Sequence, residues 1–244
     1  MTDDGVAVIV PMRNEAMVLP RLLRSLASLH PAPDDVIGVD GGSTDATVAL
    51  ARAGGMRVIE AATGTRGGDI NRAVAAATSP IICILHADTL LPEDAIAVIR
   101  RVLSDKRTAL AGFTPLIRGE RRVRWGTSFH NWIKTWYAPL LFRPRSFLRG
   151  GRLLFGDHAM FFRRADFLAV GGCDEMLTVM EDADLCIRFS RLGRTRMIHR
   201  IVITSDRRVA AWGGLRANWV YLSVGIRWGL GIRRRLRDAY PDIR

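Results

Sequence analysis

Short apolar runs alternate with helical patterns along the first 105 residues. Four runs rich in β-branched residues are predicted to be buried strands, at 6–10, 35–39, 56–59 and 81–85. Between and after them, apolar residues spaced by three or four positions predict helices at 19–29, 46–53, 69–77 and 93–103. Strands that alternate with helices at this interval predict an α/β fold, with a mostly parallel, doubly wound central sheet flanked by helices.

The pattern becomes less regular after residue 106. Strands are predicted at 109–115, 158–162 and 197–204, and helices at 164–170 and 182–192. Residues 118–152 are basic and aromatic with little clean periodicity, and residues 212–240 form an amphipathic, interfacial segment. We therefore divide the chain into a first half (1–105), a second half of the same domain (106–205) and a basic amphipathic C-terminal segment (206–244).

Charge separates these parts of the chain. Residues 1–105 carry 9 Arg and 13 acidic residues, a balance of −4, whereas residues 106–244 carry a balance of +16, which together give the net charge of +12. All six tryptophans also lie in the second part. Basic residues interleaved with Trp suit an anionic membrane surface, and they also suit nucleic acid.

The composition is that of a globular protein, with 48% hydrophobic and 25% charged residues in 244. The acidic start lacks the basic region of a signal peptide, and charges interrupt every window long enough to span a membrane. The three cysteines have neither a zinc spacing nor a disulfide pattern. We expect a cytoplasmic protein that can bind the inner face of the membrane peripherally.

Polar residues follow three of the predicted strands at the point where each ends. The first strand leads into the loop Pro11–Glu15, the second ends at Asp40 and the fourth is followed by Asp88. Because ligands bind at the carboxyl ends of strands in open α/β sheets, these residues are expected to share one site. Asp88 suits a divalent cation, and Arg66, in a glycine-bearing loop, suits a phosphate. Together they indicate a nucleotide site.

Two other nucleotide-binding motifs are missing. The sequence has no Gly-x-x-x-x-Gly-Lys-Ser/Thr loop, so a P-loop ATPase is not expected. The first strand is not followed by Gly-x-Gly-x-x-Gly, which argues against a dinucleotide site.

An ordered set of motifs resembles the GT-A-fold glycosyltransferases of family 2. The resemblance covers about 190 residues and rests on segments 8–15, 39–45, 85–89, 156–161, 171–175 and 180–185 together with Arg188. It is nearest to small bacterial members whose fourth strand ends in His-Ala-Asp-Thr, here residues 86–89. The resemblance implies a GT-A, Rossmann-like fold that carries amphipathic C-terminal helices here.

The resemblance also implies how a nucleotide-sugar donor, expected to be UDP-linked, would bind. Asp40 would bind the base, and the remaining nucleotide contacts would come from Pro11, Arg13, Asn14, Glu15, Gly42, Arg66 and Ala87. The family's Asp-x-Asp motif binds Mg²⁺ or Mn²⁺. Here Asp88 matches its second position, while His86 replaces the first and is the second candidate ligand.

Family 2 enzymes use a general base on the acceptor hydroxyl, and Asp182 matches that position. The implied mechanism is a single displacement with inversion, in which Glu181 would orient Asp182 or the acceptor. Asp157, Arg188 and Arg207 are further site candidates toward the acceptor or the diphosphate. Alternatives from the residues alone stay open: Asp182 as a helix cap, Asp157 as a turn residue and Arg207 as a solvated charge.

The acceptor is expected to be a lipid, a lipid-linked sugar or a glycan. One alternative enzyme is a nucleotidyltransferase, which would carry a glycine-rich basic loop where this chain has Pro11–Glu15. The alternative from another class is a non-catalytic basic module that binds membrane or nucleic acid. Nucleic acid is the less favoured partner, because the predicted site lies in the acidic half of the chain.

Overall fold

A single eight-stranded mixed sheet forms the centre of the protein. The computed structural model describes residues 4–120 and 122–232. The strands are β1 Val6–Met12, β2 Asp35–Asp40, β3 Arg57–Glu60, β4 Ile81–Ile84, β5 Thr89–Leu90, β6 Thr108–Arg118, β7 Phe161–Arg163 and β8 Arg194–Ser205. They are arranged in the order β3-β2-β1-β4-β7-β6-β8-β5.

Four of the seven strand pairings are parallel. β1 lies between β2 and β4, with Val6 beside Ile81 and Met12 beside Asp40, and β6 pairs in parallel with β8. The short strand β7 runs antiparallel to both β4 and β6 and joins the two parallel groups. The carboxyl ends of β1, β2 and β4 therefore meet at one edge, as the sequence predicts.

Ten helices are described. They are α1 Leu19–Ala27, α2 Thr47–Ala53, α3 Arg66–Ala76, α4 Ala95–Ser104, α5 Trp125–Phe142, α6 Pro144–Leu148, α7 Arg164–Ala169, α8 Glu181–Phe189, α9 Arg207–Trp212 and α10 Gly214–Gly229. A 3₁₀ turn covers Gly156–His158, where the sequence predicts the start of a strand.

The core covers both faces of the sheet. Val6, Val8 and Val10 of β1 pack on one face, and Ala7 and Ile9 pack on the other. A strand whose two faces are both covered has no side in contact with solvent, which explains its continuous apolar sequence. The predicted α/β architecture is confirmed.

The largest departure from prediction is α5, an 18-residue helix within a region that shows little periodicity. One side of α5 faces the protein interior, and another side exposes Trp125 and Phe129, so apolar residues occur around the helix. α10 lies beside α5 and runs in the same direction: His130 approaches Asn218 (Nδ1 to Oδ1, 3.2 Å), and Arg143 donates to the carbonyl of Gly229 (3.0 Å).

The amphipathic prediction for the C-terminal segment is met in part by α9 and α10, whereas residues 233–244 lie outside the described residues. None of the helices in the described part of the chain combines the length and hydropathy that crossing a bilayer requires.

Candidate active site

A cavity of about 530 Å³ opens at the carboxyl ends of β1 and β4. Most of the residues predicted for the site line it: Pro11, Arg13, Glu15, Arg66, His86, Ala87, Asp88, Asp157, Glu181, Asp182 and Arg207. The other four, Asn14, Asp40, Gly42 and Arg188, are not among the described lining residues. The fold thus brings together side chains from the segments at the ends of β1 and β4 and from the first turns of α3, α8 and α9.

Asp40 holds the loop that follows β2. Its Oδ2 accepts hydrogen bonds from the backbone N–H groups of Gly42 (3.0 Å) and Ser43 (2.9 Å), and its Oδ1 accepts from the Ser43 hydroxyl (2.5 Å). Asn14 ties this loop to the loop after β1, because its side-chain oxygen accepts from the N–H of Thr44 (2.8 Å). Asp40 and Asn14 therefore shape the edge of the cavity, and the base contact assigned to Asp40 stays a prediction.

Arg207 joins two carboxylates at the floor of the cavity. Its Nη1 lies 2.9 Å from Oε2 of Glu15, and its Nη2 lies 3.1 Å from Oδ2 of Asp88. Asp88 follows β4, whereas Arg207 is the first residue of α9, so the contact joins the start of α9 to the segment after β4. A solvated Arg207, the alternative from sequence, is wrong.

The same two carboxylates fit a divalent cation that arrives together with a diphosphate. Hard cations such as Mg²⁺ take oxygen ligands, commonly one or two carboxylates plus substrate phosphates. Within the described residues, no three His, Cys, Asp or Glu side chains converge to hold a metal ion by themselves. Asp88, with Glu15 beside the same Arg207, would supply the protein ligands, and phosphate oxygens would complete the set.

Arg66 connects His86 to the acidic start of α8. Its guanidinium donates to Oε1 of Glu181 at 2.5 Å, and its Nη1 lies 2.8 Å from Nε2 of His86. The Thr65 hydroxyl accepts from the N–H of Gly68, so α3 begins at Arg66, three residues before the predicted start. Arg66 is thus fixed in the first helical turn instead of lying in a loop.

His86 is held neutral. Burial is the largest cause that lowers its pKa well below the usual value, and the charge of Arg66 adds to it. Arg66 can only donate, so Nε2 of His86 accepts that hydrogen bond and the ring proton lies on Nδ1. The ring also packs against Gly156, where an added Cβ would lie 2.1 Å from Nε2.

Asp182 is buried at the start of α8 with two backbone donors. Its Oδ2 accepts from the N–H of Gly156 and its Oδ1 from the N–H of Ala183, both at 2.7 Å. Burial, and after it the negative charge of Glu181, raise the pKa of Asp182 to about 6 against the opposing effect of Arg66. A carboxylate with such a pKa is ionised at neutral pH yet takes up a proton readily, as a general base must.

Asp157 is part of a polar cluster that extends to α5. It accepts a hydrogen bond from the side-chain amide of Asn131, and its Oδ1 lies 3.1 Å from Nδ1 of the buried His158. Burial acts to raise the pKa of Asp157, but His158 and Lys134 outweigh it, so the carboxyl group stays ionised. Burial lowers the pKa of Lys134, whose Nζ lies 3.6 Å from the centre of the Phe155 ring.

Arg188 is not among the described residues that line the cavity, so the structure gives no support to its prediction as a site residue. Its Nε donates to Oδ2 of Asp184 (2.8 Å), and its Nη1 donates to the carbonyl oxygens of Val170 (2.7 Å) and Gly172. The pairing with a carboxylate, the other expectation for this residue, is observed. Arg188 therefore joins α8 to the turn after α7.

Several lining residues were missed at the sequence level. On the cavity side of α5 these are Thr127, His130, Asn131, Lys134, Tyr137, Ala138 and Phe142, and on α10 they include Tyr221, Val224, Gly225 and Trp228. Asp69 of α3 and Arg208 of α9 also line the cavity. The spacing of 127, 131, 134 and 138 follows a helical face and was the available signal, but exposed apolar residues on the opposite face obscured it.

Comparison with known proteins agrees with this geometry. The family described as "Glycosyl transferase family 2" matches residues 7–171. A relative from Mycobacterium bovis (strain BCG / Pasteur 1173P2), named PGL/p-HBAD biosynthesis glycosyltransferase, is 29% identical over 218 residues, which cover 86% of this chain and 78% of the relative.

Solved structures of low sequence identity share the fold. The mannosyltransferase PcManGT from Pyrobaculum calidifontis, in complex with GDP-Man and Mn²⁺, has a TM-score of 0.71 at 20% identity and covers 93% of this chain. Glucosyl-3-phosphoglycerate synthase from Mycobacterium tuberculosis, in complex with Mn²⁺, UDP and phosphoglyceric acid, has a TM-score of 0.64 at 19% identity and covers 93% of this chain and 79% of its own.

The present chain spans 64% of the length of the mannosyltransferase and 39% of S. aureus TarS, a further neighbour with a TM-score of 0.58. The match to the family extends from β1 through α7 and includes the segments after β1 and β4 that line the cavity. The chain belongs to glycosyl transferase family 2.

Proposed function

We propose that the chain is an inverting glycosyltransferase that moves a sugar from a UDP-linked donor to a hydroxyl acceptor. The observation that carries the proposal is the buried Asp182, with a pKa raised to about 6, in the same cavity as Asp88 and Arg207. The solved neighbours supply support for a nucleotide donor, because one is bound to UDP and another to GDP-Man.

The mechanism needs only one displacement step. The carboxylate of Asp182 takes the proton of the acceptor hydroxyl as its oxygen attacks the anomeric carbon, and the bond to the diphosphate breaks on the opposite face. Arg66 and Arg207 line the cavity and stabilise the negative charge that develops on the diphosphate. Glu181 keeps Arg66 in place through its 2.5 Å ion pair. A cation held by Asp88 and Glu15, Mg²⁺ or Mn²⁺, would neutralise the same charge.

A thermal-shift screen of nucleotides tests the donor half. UDP is compared with GDP and with UDP-sugars, each with and without Mn²⁺, since a ligand that binds the native state raises its Tm. We expect the largest shift with UDP or a UDP-sugar in the presence of Mn²⁺. A chain that responds to none of these nucleotides would not be a nucleotide-sugar enzyme.

Asp182→Asn separates an enzyme from a non-catalytic binding module. The variant keeps one side-chain oxygen, which can accept one of the two backbone N–H bonds of the native carboxylate, but it cannot take a proton. Donor hydrolysis and transfer should therefore be lost while UDP still raises Tm. Membrane or nucleic-acid binding should be unchanged in this variant. Activity that survives the change would remove Asp182 from the role of base.

Two exposed apolar stripes support peripheral binding to an anionic membrane, at the inner face of the cytoplasmic membrane. α5 exposes Trp125, Phe129, Trp136 and Leu140, and α10 exposes Leu215, Trp219, Ile226 and Leu230 with the same spacing. No Asp or Glu occurs in 121–156 or in 207–237, and each range has eight basic residues. A sequence that combines apolar side chains with basic residues and no acidic ones matches the surface of an anionic bilayer.

A further inference from the structure

The wall of the cavity formed by α5 changes from polar to apolar along the helix. Asn131 lies in its first half, Lys134 lies at its middle, and Ala138 and Phe142 lie toward its end. At 1.5 Å per residue, Asn131 and Phe142 are separated by about 16 Å along the helix axis. The cavity therefore has a polar part and an apolar part that follow each other along one helix.

α10 forms the facing wall of the apolar part. Tyr221, Val224 and Trp228 line the cavity at intervals of three and four residues, so they lie on one side of α10. Val224 and Trp228 are buried at 3% and 4% exposure in the same core cluster as Ala138. Two parallel helices thus enclose the apolar part between them.

The polar part begins at the proposed catalytic base. The side-chain amide of Asn131 donates to Asp157, and the neighbouring Gly156 donates its N–H to Asp182. An acceptor whose hydroxyl lies at Asp182 therefore meets the polar start of the α5 wall first. The remainder of such a molecule continues along α5 toward Phe142.

The apolar part ends beside exposed apolar residues. Phe142 packs on Gly229, where an added Cβ would lie 2.5 Å from the ring, so the last turns of α5 and α10 are in contact. The exposed residues around this end are Leu140, Leu141, Leu148, Leu230 and Ile232. The inner apolar wall and the outer apolar surface meet at the same ends of these helices.

We propose that the apolar part of the cavity binds the apolar chain of an amphiphilic acceptor whose hydroxyl lies at Asp182. The inference rests on the proposed function and adds the class of acceptor. A glycan would need hydrogen-bond partners along its length, and walls such as Ala138, Val224 and Trp228 leave its hydroxyl groups unpaired at a high cost. An alkyl or isoprenoid chain has no hydroxyl groups to leave unpaired, and burial of its apolar surface between these walls favours binding.

Chain-length dependence of binding provides the test. Butyl and decyl β-glucosides, kept below the concentration at which they form micelles, are titrated into the full-length protein by calorimetry. We expect decyl glucoside to bind at least tenfold more tightly, since each buried methylene contributes up to about 0.8 kcal/mol. Equal binding of the two glucosides to the wild-type protein would overturn the proposal.

A matched pair of glycine variants locates the bound chain. Gly225 lines the cavity and has no atom within 4 Å of an added Cβ, so Gly225→Leu can place a side chain there without a clash at Cβ. Gly214, on the same helix but not among the lining residues, has the same free space. The tenfold preference should disappear in Gly225→Leu and persist in Gly214→Leu. A preference that persists in both variants would place the chain on the outer surface and overturn the proposal.

The response to UDP distinguishes this inference from the proposed function. Both variants and the wild-type protein are also tested for a UDP-dependent rise in Tm with Mn²⁺. A normal UDP shift without any chain-length preference contradicts only the acceptor class. A missing UDP shift in the wild-type protein contradicts the proposed function itself, whichever glucoside binds.

Discussion

Nη1 of Arg66 lies 2.8 Å from Nε2 of His86 and uses the lone pair that a metal ion would need. His86 matches the position at which the family motif has its first aspartate. Here its ring accepts a hydrogen bond from Arg66 and so helps to hold the guanidinium in place. A neutral imidazole suits this task, because a protonated ring would repel Arg66. At this position the chain thus holds a neutral ring against Arg66, an arginine that lines the cavity.

The metal should depend on Asp88 and not on His86. We expect Asp88→Asn to weaken Mn²⁺ binding in the presence of UDP at least tenfold, about 1.4 kcal/mol, because it removes a charged oxygen ligand. His86→Ala should leave Mn²⁺ affinity within about twofold. Electron paramagnetic resonance of free Mn²⁺ measures the Mn²⁺ affinity of both variants. Equal losses in the two variants would make His86 a ligand.

The pH profile should report Asp182. A general base works in its deprotonated form, so kcat/KM should fall as the pH drops below about 6, the pKa to which burial and Glu181 raise this carboxyl group. Glu181→Gln removes the second of these causes and should move the acidic limb to lower pH. Transfer or donor hydrolysis between pH 4.5 and 8.5 gives the profile. A limb that stays in place in Glu181→Gln would assign it to another group.

A side chain at Gly156 should displace His86. The Cβ of Gly156→Ala would lie 2.1 Å from the imidazole, and overpacking of this kind costs about 1–3 kcal/mol. Activity should fall as well, because the Arg66 contact shifts. Gly126→Ala, at an exposed position of α5 with free space around Cβ, is the matched control and should be at least as stable as the wild type. Urea unfolding compares the two variants.

Removing Arg188 should weaken the fold and spare the donor site. Arg188→Ala breaks an ion pair with Asp184 and leaves the carbonyl oxygens of Val170 and Gly172 without this donor. We expect a loss of about 2–3 kcal/mol in the free energy of unfolding. Arg188→Lys should recover little, since an ammonium cannot reach acceptors that a guanidinium fork spans. The UDP-dependent shift in Tm should persist, and its loss would return Arg188 to the site.

Membrane binding should depend on the stripes of α5 and α10. The wild-type protein should sediment with phosphatidylserine vesicles at low salt and be released at high salt, because each basic residue near the surface contributes about 1 kcal/mol. Trp219→Asp should reduce the bound fraction several-fold. Leu168→Asp changes an exposed residue of α7 instead and should have no effect. A wild-type protein that stays in the supernatant at low salt would contradict membrane binding.

The sequence determined the strand pattern of the first 105 residues. The strands at 6–10, 35–39 and 81–85 are apolar throughout because both faces of the sheet are covered, so their ends, and the residues Asp40 and Asp88, could be located from local pattern alone. The order of the motifs predicted Asp182 and Glu181 as site residues through the resemblance to the family. Membership of the family is confirmed.

Tertiary structure decided what those residues contact. Local pattern could not show that Arg207 bridges Glu15 and Asp88 across 192 and 119 positions of sequence, or that Arg188 points away from the cavity toward Val170. It also missed α5, because the polar residues Asn131 and Lys134 face the cavity while apolar residues such as Trp125 are exposed, the reverse of an ordinary surface helix. The cavity wall made by α5 and α10 depends on the pairing of these two helices, and such a pairing exists only once the chain has folded.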